Sequence, residues 1–157
     1  MKYIPKKPKS ILLTEEKYQQ SKDEKLKLIK ERKEILVRLQ TAREMGDLSE
    51  NGAYTAAKSE LRDTDRKLRT LERLLRYGVV TKAKQDGKIE FDSKVVLDNG
   101  TKKTSYHMVS GFESDPLKGK LSVFSPLGRA LIGKSANQKV IISAPVGEIT
   151  YTIVSVN

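Results

Sequence analysis

Asp47 and Glu50 are the side chains of this sequence most open to a chemical role. They stand three residues apart in Gly46-Asp47-Leu48-Ser49-Glu50-Asn51, and the stretch 44–57 holds three acids, Glu44, Asp47 and Glu50, with no base. Two readings fit the pair. Asp followed three residues later by Glu is a capping box with Asp in place of Ser or Thr, each side chain accepting from the other's backbone N–H. Alternatively, the carboxylates are carried for use on a partner. The readings are compatible, because a cap fixes the backbone that aims the carboxylates. The flanks favour the second: 14–43 holds nine bases against six acids and 58–76 seven against four, so an acidic point stands between two basic arms.

No other constellation competes with them. His107 is the only histidine and cysteine is absent, which excludes disulfides and thiolate metal sites and leaves a histidine metal site or Ser-His dyad without partners. His107 reads as a strand or surface histidine. Gly46, Gly52, Gly111, Gly119 and Gly128 are isolated, so there is no glycine-rich phosphate loop. With no catalytic set of its own, the chain reads as an accessory factor whose carboxylates work in another protein's active site.

Two helices must position the acids. Thr14 with Glu15 and Glu16 is a helix start: a hydroxyl cap with acids in the first turn. The helix is predicted to run to about Met45, roughly 45 Å at 1.5 Å per residue. Leu28, Ile35, Leu39 and Ala42 mark its seam, Arg32 and Lys25 fall on seam positions, and Ile29 and Leu36 broaden the stripe. The lower part is expected to pack less regularly for that reason, or against the second domain. Gly46 ends the helix and Asp47 opens the next. There Ala57, Leu61, Thr64, Leu68, Leu71 and Leu75 are spaced 4, 3, 4, 3, 4, a heptad seam that Tyr54 extends backwards. Ala53, Ala56 and Ala57 keep side chains small where the helices meet. A short turn between two such segments gives an antiparallel coiled-coil hairpin over 14–77 with its acidic tip at 46–51.

The second helix carries an arginine row. With Leu61, Leu68 and Leu75 on the seam, Arg62, Arg69 and Arg76, with Arg66 and Arg73, point away from the partner helix. A charged outer face is ordinarily there for solubility and mixes signs. An all-arginine row instead suits phosphate oxygens, which the planar guanidinium matches. The row therefore reads as a nucleic-acid contact, with Arg62, Arg66, Arg69 and Arg73 as its candidates, beside a plain solubility role.

The rest bounds the organisation. The chain has 157 residues and a net charge of +11, which favours a polyanionic partner and suits nonspecific DNA contact. Residues 1–13 read as an extended basic arm, because Pro5 and Pro8 oppose helix. No apolar run approaches the ~18 residues of a spanning helix, and the N-terminus lacks the apolar core of a signal peptide, so no membrane contact and a cytoplasmic location are expected. From residue 78 the period changes. Strands are predicted at 79–82, 88–91, 94–97, 104–110, 121–124, 139–143 and 149–156, with Asp98-Asn99-Gly100-Thr101 as the clearest hairpin turn. Ser125 caps a short helix over 126–132, with Pro126 in its first turn and Gly133 closing it. The fold class is α+β: the hairpin followed by a small, mainly antiparallel domain over 78–157.

Ala42-Arg43-Glu44-Met45-Gly46-Asp47-Leu48-Ser49-Glu50-Asn51, with Tyr54 and Ala56-Ala57-Lys58, resembles the tip signature of the Gre transcript-cleavage factors of bacterial RNA polymerase. Ser125-Pro126-Leu127-Gly128-Arg129-Ala130-Leu131-Ile132-Gly133-Lys134 is similar to the same family's second signature, and the resemblance runs from about Thr14 to the end. Arg62-Asp63-Thr64-Asp65-Arg66-Lys67 is more similar to the GreB branch than to GreA. The resemblance implies an FKBP-like second domain that docks on the polymerase through Ser125 and Pro126, and a coiled coil that enters the secondary channel. It implies that Asp47 and Glu50 act in trans, helping to hold a second Mg²⁺ jointly with the polymerase so that backtracked nascent RNA is cleaved, while the arginines guide the RNA 3′ segment. The factor itself is then a monomer and no enzyme. Three positions depart from the family: Gly52 where Ala is usual, Ala53 where an acid is usual, and Phe124 where a polar residue is common. They keep a second class open, a Gre-like regulator that occupies the channel without stimulating cleavage. A third, an FKBP-type prolyl isomerase, rests on fold analogy alone.

Overall fold

The computed structural model describes residues 10–45, 52–144 and 147–157. Asp47 and Glu50 lie outside the described residues. The chain divides into two units, one holding residues 18–78 and the other residues 10–17 with 79–157.

The first unit is the hairpin of α1 (Glu15–Glu44) and α2 (Gly52–Tyr77). α1 buries Ser21, Leu28, Ile35 and Ala42, each seven residues from the next, which is a coiled-coil seam. Tyr18, just before them, and Lys25, Arg32 and Leu39, between them, are half-buried. The two basic seam positions do not disrupt the packing, because each reaches an acid on α2: Lys25 Nζ lies 3.4 Å from Glu72 and Arg32 Nε 2.7 Å from Asp65. Arg38 adds a third rung to Glu60 at 2.9 Å. As the base advances along α1 from Lys25 to Arg32 to Arg38, its acid retreats along α2 from Glu72 to Asp65 to Glu60, so the helices run antiparallel in one register. Exposed pairs of this kind contribute at most about 1 kcal/mol each. Their main effect is to specify which acid faces which base, while Leu28, Leu68 and Leu71 form the apolar cluster.

On α2 the 4-3 seam holds at Ala57, Thr64, Leu68 and Leu71 and then drifts: Leu74 is 4 % exposed, while Leu75, the seam residue predicted from the heptad, is only half-buried. At about 100° per residue Leu75 falls in line with Ala57 and Leu74 about 100° round from it, so the helical repeat alone does not account for the burial of Leu74. Ser21 is fully buried and its Oγ has no hydrogen-bond partner among the described residues. Ser21→Ala therefore removes an unpaired buried hydroxyl and adds helix propensity. The expected result is a gain of about 1 kcal/mol in stability, read as a higher urea midpoint for the loss of helical ellipticity.

The second unit opens with β1 (Ile11–Leu13), paired with β2 (Gly78–Val80) in a two-stranded sheet. This corrects the arm reading over 1–13 at its last residues. Leu13 is completely buried and its carbonyl accepts from Thr81 N–H at 3.1 Å, so apolar burial fixes these residues as strand. The main sheet comprises β3 (Lys94–Asp98), β4 (Lys103–Val109), β5 (Lys120–Ser122), β6 (Lys139–Ala144) and β7 (Gly147–Val156) in the order β5-β4-β3-β7-β6. Every pairing in it is antiparallel except β4 with β5. β3 alternates, burying Val95 and Leu97, and these join Ile89, Met108, Val140, Ile153 and Leu131 of the helix α3 (Pro126–Leu131) in one core.

The turn joining β3 to β4 is built as its sequence dictates: Asp98 Oδ1 accepts from Gly100 N–H at 2.8 Å, and Gly100 has φ +83°. The strand read at 88–91 is absent. Ile89 is completely buried, but its N–H bonds to the Lys134 carbonyl and its carbonyl accepts from Gly133, so the segment is tied down by single bonds and not by a ladder. A 3₁₀ turn, Pro116–Lys118, has no counterpart among the predicted elements; Asp115 caps it and Gly119 closes it in the left-handed conformation. Among the described residues no helix is long and apolar enough to cross a membrane.

Candidate functional site

The connection 46–51 that carries Asp47 and Glu50 joins the C-terminal end of α1 to the N-terminal end of α2. Two clefts flank that end of the hairpin. One, of about 400 Å³, is bordered by Val37, Thr41 and Met45 of α1 and by Ala53, Ala56 and Ala57 of α2, whose short side chains leave the space. The other, of about 600 Å³, lies between Leu36, Leu39, Gln40 and Arg43 and the ring of Tyr54. Tyr54 is half-buried, in keeping with a seam position, and Lys58 Nζ sits 6.0 Å from its ring centre. Among the described residues no three of His, Cys, Asp and Glu converge as metal ligands.

The arginine row is laid out as the heptad predicts. Arg62, Arg66, Arg69, Arg73 and Arg76 are all exposed on α2. The hairpin's ion pairs explain why the row is so uniformly cationic. Glu60, Asp65 and Glu72, three of the acids on α2, are engaged by bases of α1. Only Asp63 pairs within the row, 3.5 Å from Arg66. Among the described residues Arg62, Arg69, Arg73 and Arg76 have no carboxylate within ion-pair distance, so their guanidinium groups are open to phosphate.

The third candidate region is the loop entering α3. Ser125 Oγ accepts from Gly128 N–H at 3.0 Å and donates to the Ser122 carbonyl at 2.7 Å, so the hydroxyl is committed to holding the loop. Pro126 is exposed in the first turn. Beside them, Phe124 is 64 % exposed and borders an apolar groove of about 400 Å³ with Leu12, Phe91, Val123 and Ile132, flanked by Glu90 and Arg129. What this loop can offer a partner is therefore Pro126 and the Phe124 ring, with Ser125 acting behind them as a cap. Phe124, an aromatic residue just before the Ser125 cap of α3, is the one sequence signal for the groove.

Two further polar clusters have no signal in the sequence. Glu113, 7 % exposed, accepts from Thr14 N–H at 3.0 Å and from Thr14 Oγ1 at 2.6 Å. Thr14 Oγ1 in turn accepts from Lys17 N–H at 3.2 Å, the capping role its position predicts. His107, on β4 as expected of a strand histidine, places Nε2 2.7 Å from Asp92 Oδ1. Asp92 has φ +70°, an uncommon conformation for a residue with a side chain, and its N–H bonds to the Met108 carbonyl at 2.7 Å.

Two family models together match nearly the whole chain. The model of the N-terminal domain of transcription elongation factors matches residues 11–80, and that of the GreA/GreB C-terminal domain matches residues 84–157. The chain is 40 % identical over 152 residues to transcription elongation factor GreA of Maridesulfovibrio salexigens, covering 94 % of each chain. It is 39 % identical over 155 residues to GreA of Chlorobaculum parvum, covering 93 % of this chain and 96 % of that one. Among solved structures it is similar to GreA factor homolog 1 of Thermus thermophilus, with 24 % identity, a TM-score of 0.46 and coverage of 95 % and 99 %. With a hairpin and a sheet domain matched in order by the two family models, this chain belongs to the GreA/GreB family of transcription elongation factors.

Proposed function

We propose that this protein binds bacterial RNA polymerase, inserts its hairpin into the secondary channel and stimulates hydrolytic cleavage of backtracked nascent RNA, so that elongation resumes. The observation that carries the reading is the hairpin itself. Its ion-pair rungs hold two helices of 30 and 26 residues antiparallel, and the segment joining them is the one that contains Asp47 and Glu50. A rod of about 45 Å can reach a buried centre from a docking point outside it.

On this reading the protein is not itself the enzyme. It lends two carboxylates to the nuclease activity of the polymerase. The donor set fits Mg²⁺, which takes hard oxygen ligands from a few side chains and keeps several waters. Asp47 and Glu50 would supply two of those oxygens and the polymerase the rest, so the free protein holds no ion. When bound, such an ion supplies an activated water and offsets charge on the phosphodiester. What the chain would contribute is aim: the capping box that the sequence offers at Asp47 and Glu50 would restrict the backbone bearing both acids. The arginine row takes the displaced RNA 3′ segment, and the loop at Ser125 and Pro126 docks the second unit on the polymerase.

The reading is tested on stalled, backtracked elongation complexes assembled from purified polymerase. Restart on addition of nucleotides is expected with this protein present. Binding without restart would leave only occupation of the channel. For the arginine row, replacing Arg62, Arg66 and Arg69 with Glu should reduce crosslinking to the RNA 3′ end by about tenfold. The salt dependence of RNA binding should flatten by about 0.7 in log–log slope for each phosphate that is no longer neutralised. Unchanged crosslinking would remove the row from the RNA path.

A further inference from the structure

The two outer faces of the hairpin differ in kind. The large apolar side chains exposed on the helices, short of Met45 at the end of α1, are Leu26, Ile29, Leu36 and Val37, all on α1, and none lies on α2. At about 100° per residue, Leu26 and Val37 stand on the side of α1 opposite the seam of Ser21, Leu28, Ile35 and Ala42, Val37 also bordering the cleft near the end of the hairpin. They are 68 % and 67 % exposed, with Ile29 and Leu36 beside them at 37 % each. Lys22, Lys30 and Lys33 fall on the same face, and all three are exposed. Of the acids of this stretch, Glu24 and Glu31 turn to the side or towards α2, while the exposed Asp23 and Glu34 stand along one edge of the face. Lys22 Nζ sits 4.7 Å from the Tyr18 ring centre. Lys30 and Lys33 have no carboxylate in ion-pair reach among the described residues.

Single exposed aliphatics need no explanation. Leu26, Ile29, Lys33 and Val37, however, follow the i, i+3, i+7, i+11 spacing of a helix that lays one face against a partner. Lysine stems add apolar cover along the stripe while their ammonium groups stay at its edge. RNA would use the charges and gain nothing from the aliphatics, whereas the α2 face offers arginine alone. A second copy is disfavoured because both faces would be basic and each chain carries a net charge of +11.

We infer that the outer face of α1 is a protein-docking face, fitted to an acidic surface that presents aliphatic side chains, while α2 serves the nucleic acid. This rests on the polymerase reading above, and the acidic surface is then a wall of the channel that admits the hairpin. The stripe from residue 22 to 37 extends about 23 Å along the rod, enough to fix the rotation of the hairpin about its own axis and so decide which way the arginine row faces.

The test uses the full chain and a purified elongation complex. A photo-crosslinking side chain in place of Lys33 should capture a polymerase subunit, and one in place of Arg69 should capture RNA. In parallel, Leu26→Ser with Val37→Ser, and separately Lys30→Gln with Lys33→Gln, should each weaken polymerase binding by about tenfold. Cleavage at saturating protein should be unchanged, and thermal melts confirm that the variants fold. Capture of RNA or of a second copy from position 33 overturns the inference, as does binding by both variants within twofold of the unaltered chain. The unaltered chain reports on the functional reading alone. If it neither binds the polymerase nor promotes cleavage, that reading fails, and the inference with it.

Discussion

If the proposed function holds, a chain carrying Asp47→Asn and Glu50→Gln is expected to fold as before, to bind RNA polymerase as before, and to lose about a hundredfold or more of its stimulation of transcript cleavage. The fold survives because Asn caps a helix about as well as Asp. Gln is likewise accepted at the third position of a capping box. Binding survives because neither acid belongs to the docking loop or to the outer faces of the helices. Activity falls because an amide oxygen without formal charge is a poor replacement for a carboxylate beside a divalent cation, where charge stabilisation contributes several kcal/mol to the transition state. The single variants are expected to lose nearly as much as the pair, since the two groups would act as a unit. Measurement of cleavage rate at saturating protein, with binding measured separately, distinguishes this from a folding or docking defect. A double variant that retains the stimulation would reduce Asp47 and Glu50 to helix caps.

Glu113→Ala has the largest expected effect on stability, a loss of about 3 kcal/mol in the second unit. Glu113 is almost wholly buried, and its carboxylate receives two short hydrogen bonds from Thr14, one backbone and one hydroxyl, with Ser110 Oγ at 3.4 Å. Hydrogen bonds to a charged group contribute more than neutral ones, and truncation leaves the Thr14 donors buried without an acceptor. Thr14 is itself 3 % exposed, so water cannot substitute freely. Glu113→Gln keeps the shape and one good acceptor and should cost about half as much. Two units need not melt together, so the quantity to follow is amide exchange in β3 and β4, which reports the local opening free energy of the sheet. Protection of those strands unchanged by Glu113→Ala would show that this buried carboxylate contributes little.

The architecture is legible in the chain because its elements follow strong periodicities. The alternation of Val95 and Leu97, the turn at Asp98–Gly100 and the Ser125-Pro126 helix start are local signals, and the structure contains each of them. The α1 seam is harder to read, since Lys25 and Arg32 stand where apolar residues are expected. Only the acids 33 to 47 residues away, Asp65 and Glu72, make sense of them, and such pairings are invisible in either helix alone. The same holds for Glu113, whose partner Thr14 is 99 residues distant. A strict heptad favours Leu75 over Leu74, yet Leu74 is the one buried, and the seam spacing of α2 alone carries no sign of that. Residues 88–91 resemble a strand because Ile89 and Phe91 alternate with Lys88 and Glu90, and that alternation looks the same whether the segment is held by a ladder or by the two bonds that hold Ile89. At the candidate site, charge segregation exposes the arginine row and the acidic connection in the sequence. The apolar groove beside Phe124 and the aliphatic stripe on α1 need the fold, because they depend on which neighbours stay uncovered.

The most direct test of a tip that acts in a partner's active centre is release of RNA from that centre. A backtracked complex carrying RNA labelled at its 3′ end is mixed with this protein and Mg²⁺, and the labelled 3′ fragments are resolved over time. The account predicts short labelled fragments released much faster than by the polymerase alone, with the remaining transcript extendable from its new end. Fragment release at the rate of the polymerase alone, with the protein demonstrably bound, would contradict it.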